Sequence, residues 1–120
     1  MKNILLFVTI LLINQNSYAL EKKAYFAGGC FWCMEESFDQ VEGVLSSISG
    51  YSGGNLKNPT YQDVIYKDTG HVEAIEITYD SNIVNYESLL NIYWRNIDPF
   101  DSEGQFCDKG KSYRLSLIHI

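Results

Sequence analysis

The stretch Ala24-Tyr25-Phe26-Ala27-Gly28-Gly29-Cys30-Phe31-Trp32-Cys33 decides the fold. A short apolar run ends there at a pair of glycines, and apolar residues at helical spacing begin directly after them. The sequence therefore predicts a buried strand over residues 23–27 and a helix that starts at Cys30. A thiol at the start of a helix lies near free backbone N–H groups, which favour the thiolate. This arrangement is typical of cysteine redox chemistry.

The first helix has an apolar stripe that faces a core. Phe31, Met34, Phe38 and Val41 follow one another at helical spacing, and Gly43 is expected to end the helix. A second stripe begins after the expected N-cap residue Asn85 and runs to Asp98-Pro99. Its apolar members are Tyr86, Leu89, Leu90, Tyr93, Trp94 and Ile97.

Two further segments read as strands, over residues 44–51 and 71–79. A short helical or irregular segment follows Asn58-Pro59-Thr60, and residues 100–114 are predicted to be loop. The order of elements predicts an α+β domain, a two-layer sandwich in which helices flank a mixed or antiparallel sheet in a ferredoxin-like arrangement. Residues 115–120 are expected to form an atypical tail that closes nothing, which leaves the last strand and helix of the domain missing.

The first residues have the pattern of a secretory signal peptide. A basic start at Lys2 precedes an apolar run over residues 4–13, and Ser17-Tyr18-Ala19 resembles a cleavage site. We therefore expect a signal over 1–19, a catalytic domain over 20–114, and an exported, periplasmic or secreted protein. A run of about ten residues is shorter than the ~20 of a membrane span, so no stable membrane association is expected after cleavage. An uncleaved anchor is the alternative.

Charge and cysteine count narrow the function classes. The chain has 15 acidic against nine basic residues, a net charge of −6, and no basic cluster. This balance argues against nucleic acid as a partner. The three cysteines are Cys30, Cys33 and Cys107. An odd number leaves at least one thiol outside any intramolecular disulfide, which favours catalysis over a structural role.

The first two cysteines form a C-x-x-C pair. On one helical turn, their sulfurs can close a disulfide of the thioredoxin kind. Zinc would need two more ligands at a workable spacing, and only Cys107 and His71 offer themselves, neither in a paired motif. No metal is therefore expected. Cys33 as an inert bystander is the other interpretation.

Glu73 is the candidate acid. It is in phase with Ile75, Ile77 and Tyr79 at the two-residue period of a strand, so it faces the apolar side. Desolvation there raises the pKa of a carboxyl and lets it donate a proton near neutral pH. A strand-end glutamate leaning into solvent is the alternative.

Five blocks in register resemble the type A peptide methionine sulfoxide reductase family, in a branch with a C-F-W-C motif. The resemblance covers residues 23–114. The blocks are Gly29-Cys30-Phe31-Trp32, Gly50-Tyr51-Ser52-Gly53-Gly54, Asn58-Pro59-Thr60-Tyr61, Gly70-His71-Val72-Glu73 and Tyr113-Arg114.

The resemblance implies a reaction at sulfur. It implies that Cys30 attacks the sulfur of a methionine S-sulfoxide, in peptides or free, and becomes a sulfenic acid. Glu73 would donate the proton that turns the oxide into a leaving group. Tyr61 and Tyr113 would donate hydrogen bonds to that oxygen.

Further residues acquire roles in the same way. Phe31 and Trp32 would hold the methyl group in an apolar pocket, and Asp98 would help to order the site. Cys33, or else Cys107, would condense with the sulfenic acid to give an intramolecular disulfide, which a thioredoxin-type dithiol reductant resets. No cofactor is implied.

Two other function classes remain open from the residues alone. The C-x-x-C pair also suits a thioredoxin-like disulfide oxidoreductase, although Pro59 and Pro99 both lie in expected turns rather than at the cis-proline site of that class. A non-enzymatic metal-binding or structural module is the second alternative.

Overall fold

The computed structural model describes residues 18–118 and shows three helices and six strands within that range. They are β1 (Glu21–Ala27), α1 (Phe31–Asp39), β2 (Val44–Ser52), α2 (Tyr61–Tyr66), β3 (Val72–Asp80), α3 (Tyr86–Arg95), β4 (Gly104–Gln105), β5 (Asp108–Lys109) and β6 (Ser116–Ile118). The predicted signal peptide lies almost wholly outside the described residues, so it and the domain boundaries stay predictions. Within 18–118, no helix has the length and apolarity that a membrane crossing demands.

Four strands form one antiparallel sheet in the order β2-β3-β1-β6. Phe26 of β1 lies opposite Ile75 of β3 and opposite Leu117 of β6. Along the chain, α1 connects β1 to β2, and α3 lies between β3 and β6. This connectivity is that of a ferredoxin-like fold. The predicted α+β class and arrangement are confirmed.

The end of the described chain corrects one expectation. Residues 115–120 were expected to close nothing, but Ser116–Ile118 pair with β1 and give the sheet its fourth strand. The physical reason is a two-residue apolar period: Leu115 and Leu117 pack against the core. A three-residue strand after a loop is too short for its period to stand out in the sequence.

The core lies between the sheet and the two longer helices. Phe26 of β1 stacks on Phe38 of α1 with ring centroids 5.5 Å apart, and on Tyr93 of α3 at 5.2 Å. The Tyr93 hydroxyl donates a 2.9 Å hydrogen bond to the carbonyl of Ala27. Helix α3 therefore fixes the end of β1, the segment just before the two glycines, through the ring and the hydroxyl of Tyr93.

The predicted helices are present, and two of them end earlier than expected: α3 ends at Arg95 rather than at Asp98-Pro99. Asn85 caps α3 as expected, because its side chain accepts a hydrogen bond from Ser88 N at 2.8 Å. Helix α1 ends at Asp39, before the expected stop at Gly43. Residues 40–43 instead form a turn, and Gly43 takes a φ of 94° where a Cβ would lie within 3 Å of Val84 and Ile83.

The segment 100–114 is more ordered than the predicted loop. It contains the hairpin of β4 and β5 and a 3₁₀ turn over Lys111–Tyr113. Strands of two residues carry no readable period, so sequence patterns miss them.

Candidate active site

Cys30 lies at the mouth of α1, as predicted. It is the N-cap residue, and its carbonyl accepts the first helical hydrogen bond from Met34 N at 3.2 Å. Gly29 before it has a φ of 87°, and a Cβ there would stand 2.6 Å from Cβ of Gln105. The sharp turn from β1 into α1 therefore requires glycine. It leaves the Cys30 thiol half-buried where backbone N–H groups of the helix converge.

Glu73 faces the core side of β3 beside the start of α1. Its side chain is buried, with 2 % exposure, and its Oε2 accepts a 3.0 Å hydrogen bond from Phe31 N. Burial raises the pKa of this carboxyl, the Phe31 N–H opposes the shift, and the charge of Asp108 adds to it. The predicted inward orientation is confirmed, and the acid binds the backbone N–H of the residue that directly follows Cys30.

Aromatic rings surround this corner of the molecule. Phe31 lies against Trp32 with centroids 5.2 Å apart, and Trp32 stacks on Tyr61 at 6.1 Å with ring planes 16° apart. Tyr113 hydrogen bonds with Tyr61, and burial, followed by this hydrogen bond, raises the pKa of Tyr113. The Tyr113 hydroxyl is therefore a protonated donor near neutral pH. The structure brings these four predicted residues together.

Tyr51 belongs to the same corner and was not predicted as a site residue. It lies directly opposite Glu73 in the pairing of β2 with β3, and its ring is 5.6 Å from that of Phe31. Burial, then the neighbouring Glu73 and Tyr61, raise the pKa of Tyr51. Its place in the Gly50–Gly54 block, one of the five resembling the family, was the available signal.

Local structure fixes the two predicted tyrosines. Tyr61 is the first residue of α2, and Thr60 before it forms a capping box with Asp63. The Arg114 guanidinium, next to Tyr113, donates to the carbonyl of Gly70 at 3.0 Å and to that of Lys111 at 2.9 Å. Arg114 thereby connects the turn at Gly70 to the segment that carries Tyr113.

The three thiols share a cavity of about 420 Å³. Cys33, an exposed residue, hydrogen bonds with Cys30. This hydrogen bond, followed by burial and the charge of Cys30, raises the pKa of Cys33. Cys107 lines the same cavity from the turn of the β4–β5 hairpin. Proximity thus favours Cys33 as the partner of Cys30, with Cys107 within the same space.

Asp98, which the resemblance implied helps to order the site, lies in a turn and binds the Gln105 side chain. Its carboxylate accepts a 3.0 Å hydrogen bond from Phe100 N, as in an ordinary turn. Its backbone N–H and carbonyl bind the side-chain amide of Gln105 at 2.7 and 2.8 Å. Asp98 therefore supports the site indirectly: its backbone holds the side chain of Gln105, and Gln105 packs on Gly29.

Asp108 is the carboxylate that sequence reasoning missed. It lines the cavity with the three cysteines. The pKa of Glu73 is raised mainly by the burial of its own carboxyl, and the negative charge of Asp108 adds to this rise. The signal was weak, because Asp108 falls in a segment without helical or strand period.

His71 has a structural environment. Its Nδ1 accepts from Gly54 N at 3.2 Å, and its Nε2 lies 2.8 Å from the carbonyl oxygen of Leu56. Both ring nitrogens therefore hold the loop that follows β2. Across residues 18–118, no three side chains of His, Cys, Asp or Glu are grouped so as to bind a metal ion.

Comparison with known sequences identifies the family. The model of the family described as peptide methionine sulfoxide reductase matches residues 22–120. The chain belongs to this family. The peptide methionine sulfoxide reductase MsrA of Bacillus licheniformis is 53 % identical over 96 residues, which cover 80 % of this chain and 53 % of that protein. MsrA 2 of Caulobacter vibrioides is 58 % identical over 95 residues, covering 79 % and 48 %. The chain thus spans about half the length of these family members.

Solved structures of the peptide methionine sulfoxide reductase family have the same fold. Methionine sulfoxide reductase A of Corynebacterium diphtheriae superposes with a TM-score of 0.78 at 31 % identity, covering 81 % of this chain and 46 % of that one. Mxr1 from Saccharomyces cerevisiae in reduced form gives 0.77 at 27 % identity, covering 82 % and 59 %. The family resemblance that the five sequence blocks suggested is confirmed.

Proposed function

We propose that this protein reduces methionine S-sulfoxide to methionine with its own thiols and so repairs oxidised proteins. The observation that carries the proposal is the meeting of Cys30, at the N-cap of α1, with the buried carboxyl of Glu73, which binds the next backbone N–H. Membership of the peptide methionine sulfoxide reductase family supports it.

The first step transfers oxygen from one sulfur to another. The Cys30 thiolate attacks the sulfoxide sulfur while Glu73, a carboxyl whose pKa is raised by burial, donates a proton to the oxygen. The S–O bond of the substrate breaks and the protonated oxygen passes to the Cys30 sulfur, while the S–S bond formed by the attack breaks and methionine leaves. Cys30 is then a sulfenic acid. The donor hydroxyls of Tyr61 and Tyr113 would stabilise the charge that develops on that oxygen.

The aromatic walls favour a small apolar group next to the reacting sulfur. Trp32 contacts Phe31 and Tyr61 but is still 63 % exposed, so part of its ring is accessible to a substrate. A methyl group on sulfur fits between such rings, and apolar contact excludes water from the attack. A methyl sulfoxide in a peptide is therefore the substrate class that this corner suits.

The second step forms a disulfide. The thiol of Cys33, already hydrogen-bonded to Cys30, attacks the sulfenic sulfur, and water leaves with the oxygen. The sulfurs of Cys30 and Cys33 are then joined. A thioredoxin-type dithiol returns both to thiols by exchange and is itself oxidised to a disulfide.

Single-turnover chemistry tests the proposal. The reduced chain is mixed with a peptide that contains methionine S-sulfoxide, and methionine is measured without added reductant. Near one equivalent of product is expected for the wild type and for the matched thiol deletion Cys107→Ser, but none for Cys30→Ser. Reduction of insulin disulfides without methionine formation would instead establish the thioredoxin-like alternative that the C-x-x-C pair suggests.

We also propose export with removal of residues 1–19. The support is the basic start, the apolar run and the Ser17-Tyr18-Ala19 pattern. Mass spectrometry of the protein recovered from outside the cytoplasm should show a chain that begins at Leu20. An intact Met1 or Lys2 terminus in that fraction would refute processing at this position.

A further inference from the structure

The cavity that holds the three thiols lies on a different side of α1 from the aromatic rings. Along the helix it is lined by Cys30, Cys33, Met34 and Ser37, residues that follow one another at helical spacing on one face. Phe31 and Trp32 lie outside this lining and contribute to the aromatic walls. Cys30 borders both regions, so a sulfoxide can reach its sulfur from the aromatic side while a reductant approaches the disulfide from the cavity side.

The opposite wall of the cavity is the turn of the β4–β5 hairpin, which consists of Phe106 and Cys107. Phe106 has a φ of 54°, a left-handed conformation that is rare for a bulky side chain. It is also 62 % exposed. A strained backbone and an exposed ring next to a thiol together indicate a functional constraint at this position.

The base of the hairpin is anchored, which fixes the position of its turn. Gln105 is 2 % exposed. Its side-chain amide binds the Asp98 backbone and the carbonyl of Gly104 at 2.7–2.8 Å. Gly29 packs directly on the Gln105 side chain. The Phe106 ring is consequently presented from a fixed support at the edge of the thiol cavity rather than on a loose loop.

We propose that the cavity edge formed by Cys33, Phe106 and Cys107 is the docking surface for a protein dithiol reductant, with Phe106 as its apolar anchor. This inference rests on the proposed function, because it concerns the step that resets the disulfide. The thiols that line the cavity determine the class of occupant: a disulfide that opens here is reset by another thiol, not by the sulfoxide. Arg95 and Asp108 on the same walls give no dominant charge, so the contact is mainly apolar.

Access to sulfur determines the direction of attack. Cys33 is exposed whereas Cys30 is half-buried, so the reductant's thiolate reaches the sulfur of Cys33. A mixed disulfide forms there, the bond to Cys30 breaks, and Cys30 leaves as a thiolate that takes up a proton. The second thiol of the reductant then attacks its own bridged sulfur. Cys33 is released, and the reductant ends as a disulfide.

The test measures docking without sulfoxide chemistry. The chain is oxidised with one equivalent of hydrogen peroxide, the disulfide is mapped by mass spectrometry, and its reduction by thioredoxin or by dithiothreitol is followed in stopped flow. Phe106→Ala is compared with Phe100→Ala, which removes a ring that is 93 % exposed and lies outside the cavity lining. Phe106→Gly repeats the deletion with a residue that accepts the left-handed backbone.

Loss of the anchor should act on the protein reductant alone. Both Phe106 variants are expected to lower kcat/KM for thioredoxin by about tenfold, while the rate with dithiothreitol changes by less than about twofold. Phe100→Ala should leave both rates unaltered. The proposal is overturned by equal losses with both reductants, by no loss with thioredoxin, by an equal effect of Phe100→Ala, or by a mapped disulfide without Cys33. Methionine formation in a single turnover tests the proposed function separately.

Discussion

Replacement of Glu73 by glutamine removes the acidic proton and leaves the other features of the site in place. The amide has nearly the same shape, and its oxygen can still accept the hydrogen bond from Phe31 N that the carboxyl accepts now. The start of α1 and the position of Cys30 should therefore be retained. What Glu73→Gln removes is the proton that the sulfoxide oxygen needs in order to leave.

The expected loss is that of a general acid. Such groups contribute about 10²- to 10⁴-fold, or roughly 3–5 kcal/mol of barrier, and a single buried acid with one preserved hydrogen bond should reach that range. Rapid-quench assays of methionine formation in a single turnover would measure it. In the wild type the rate should fall as pH rises through the elevated pKa of Glu73, and the variant should lack this falling limb. A variant within about threefold of wild type would refute Glu73 as the proton donor.

Glu73→Gln should lower activity but make the folded chain more stable than wild type at neutral pH. Burial raises the pKa of Glu73 above that of the unfolded chain, so the folded state binds more protons above about pH 4.3. Wild-type stability from this group is therefore present at low pH and is lost as pH rises through the folded pKa. Glutamine has no such loss. The Tm of Glu73→Gln relative to wild type should increase between pH 4 and pH 8. A constant difference would contradict the desolvated carboxyl.

Three more substitutions test the surrounding structure. Cys33→Ser should leave a single turnover intact but stop multiple turnovers with thioredoxin; unchanged recycling would transfer the resolving role to Cys107. Tyr113→Phe removes one donor to the oxygen, and the single-turnover rate should fall about 10- to 100-fold at an unaltered peptide Kd, so that a change in Kd alone would disprove the donor role. Tyr93→Phe leaves the carbonyl of Ala27 without its partner, and urea unfolding should show a loss of about 1–3 kcal/mol. An unaltered midpoint would mean that this carbonyl finds another donor.

The local features of the site could be predicted because they follow from short-range rules. A glycine pair after a strand and before an apolar helical stripe placed Cys30 at the N-cap. A two-residue period placed Glu73 on the apolar face, where burial follows. Each inference needed only neighbours along the chain, since period and caps are properties of one element.

The segment after Pro99 shows where such rules end. It has no helical or strand period, so the hairpin, the packing of Gln105 on Gly29 and the entry of Asp108 into the thiol cavity left no readable pattern. The family resemblance suggested Asp98 as the supporting carboxylate, whereas the folded chain places Asp108 beside the thiols.

The sequence by itself determined which residues begin the helix, which face the core and which family the chain resembles. Only the tertiary structure decided that Cys107 and Phe106 lie across a cavity from Cys33, and that residues 116–118 add a fourth strand to the sheet. The physical reason is that contacts between distant segments depend on how irregular loops close and pack. Loop closure is an entropic and steric property of the whole fold rather than of any short stretch of residues.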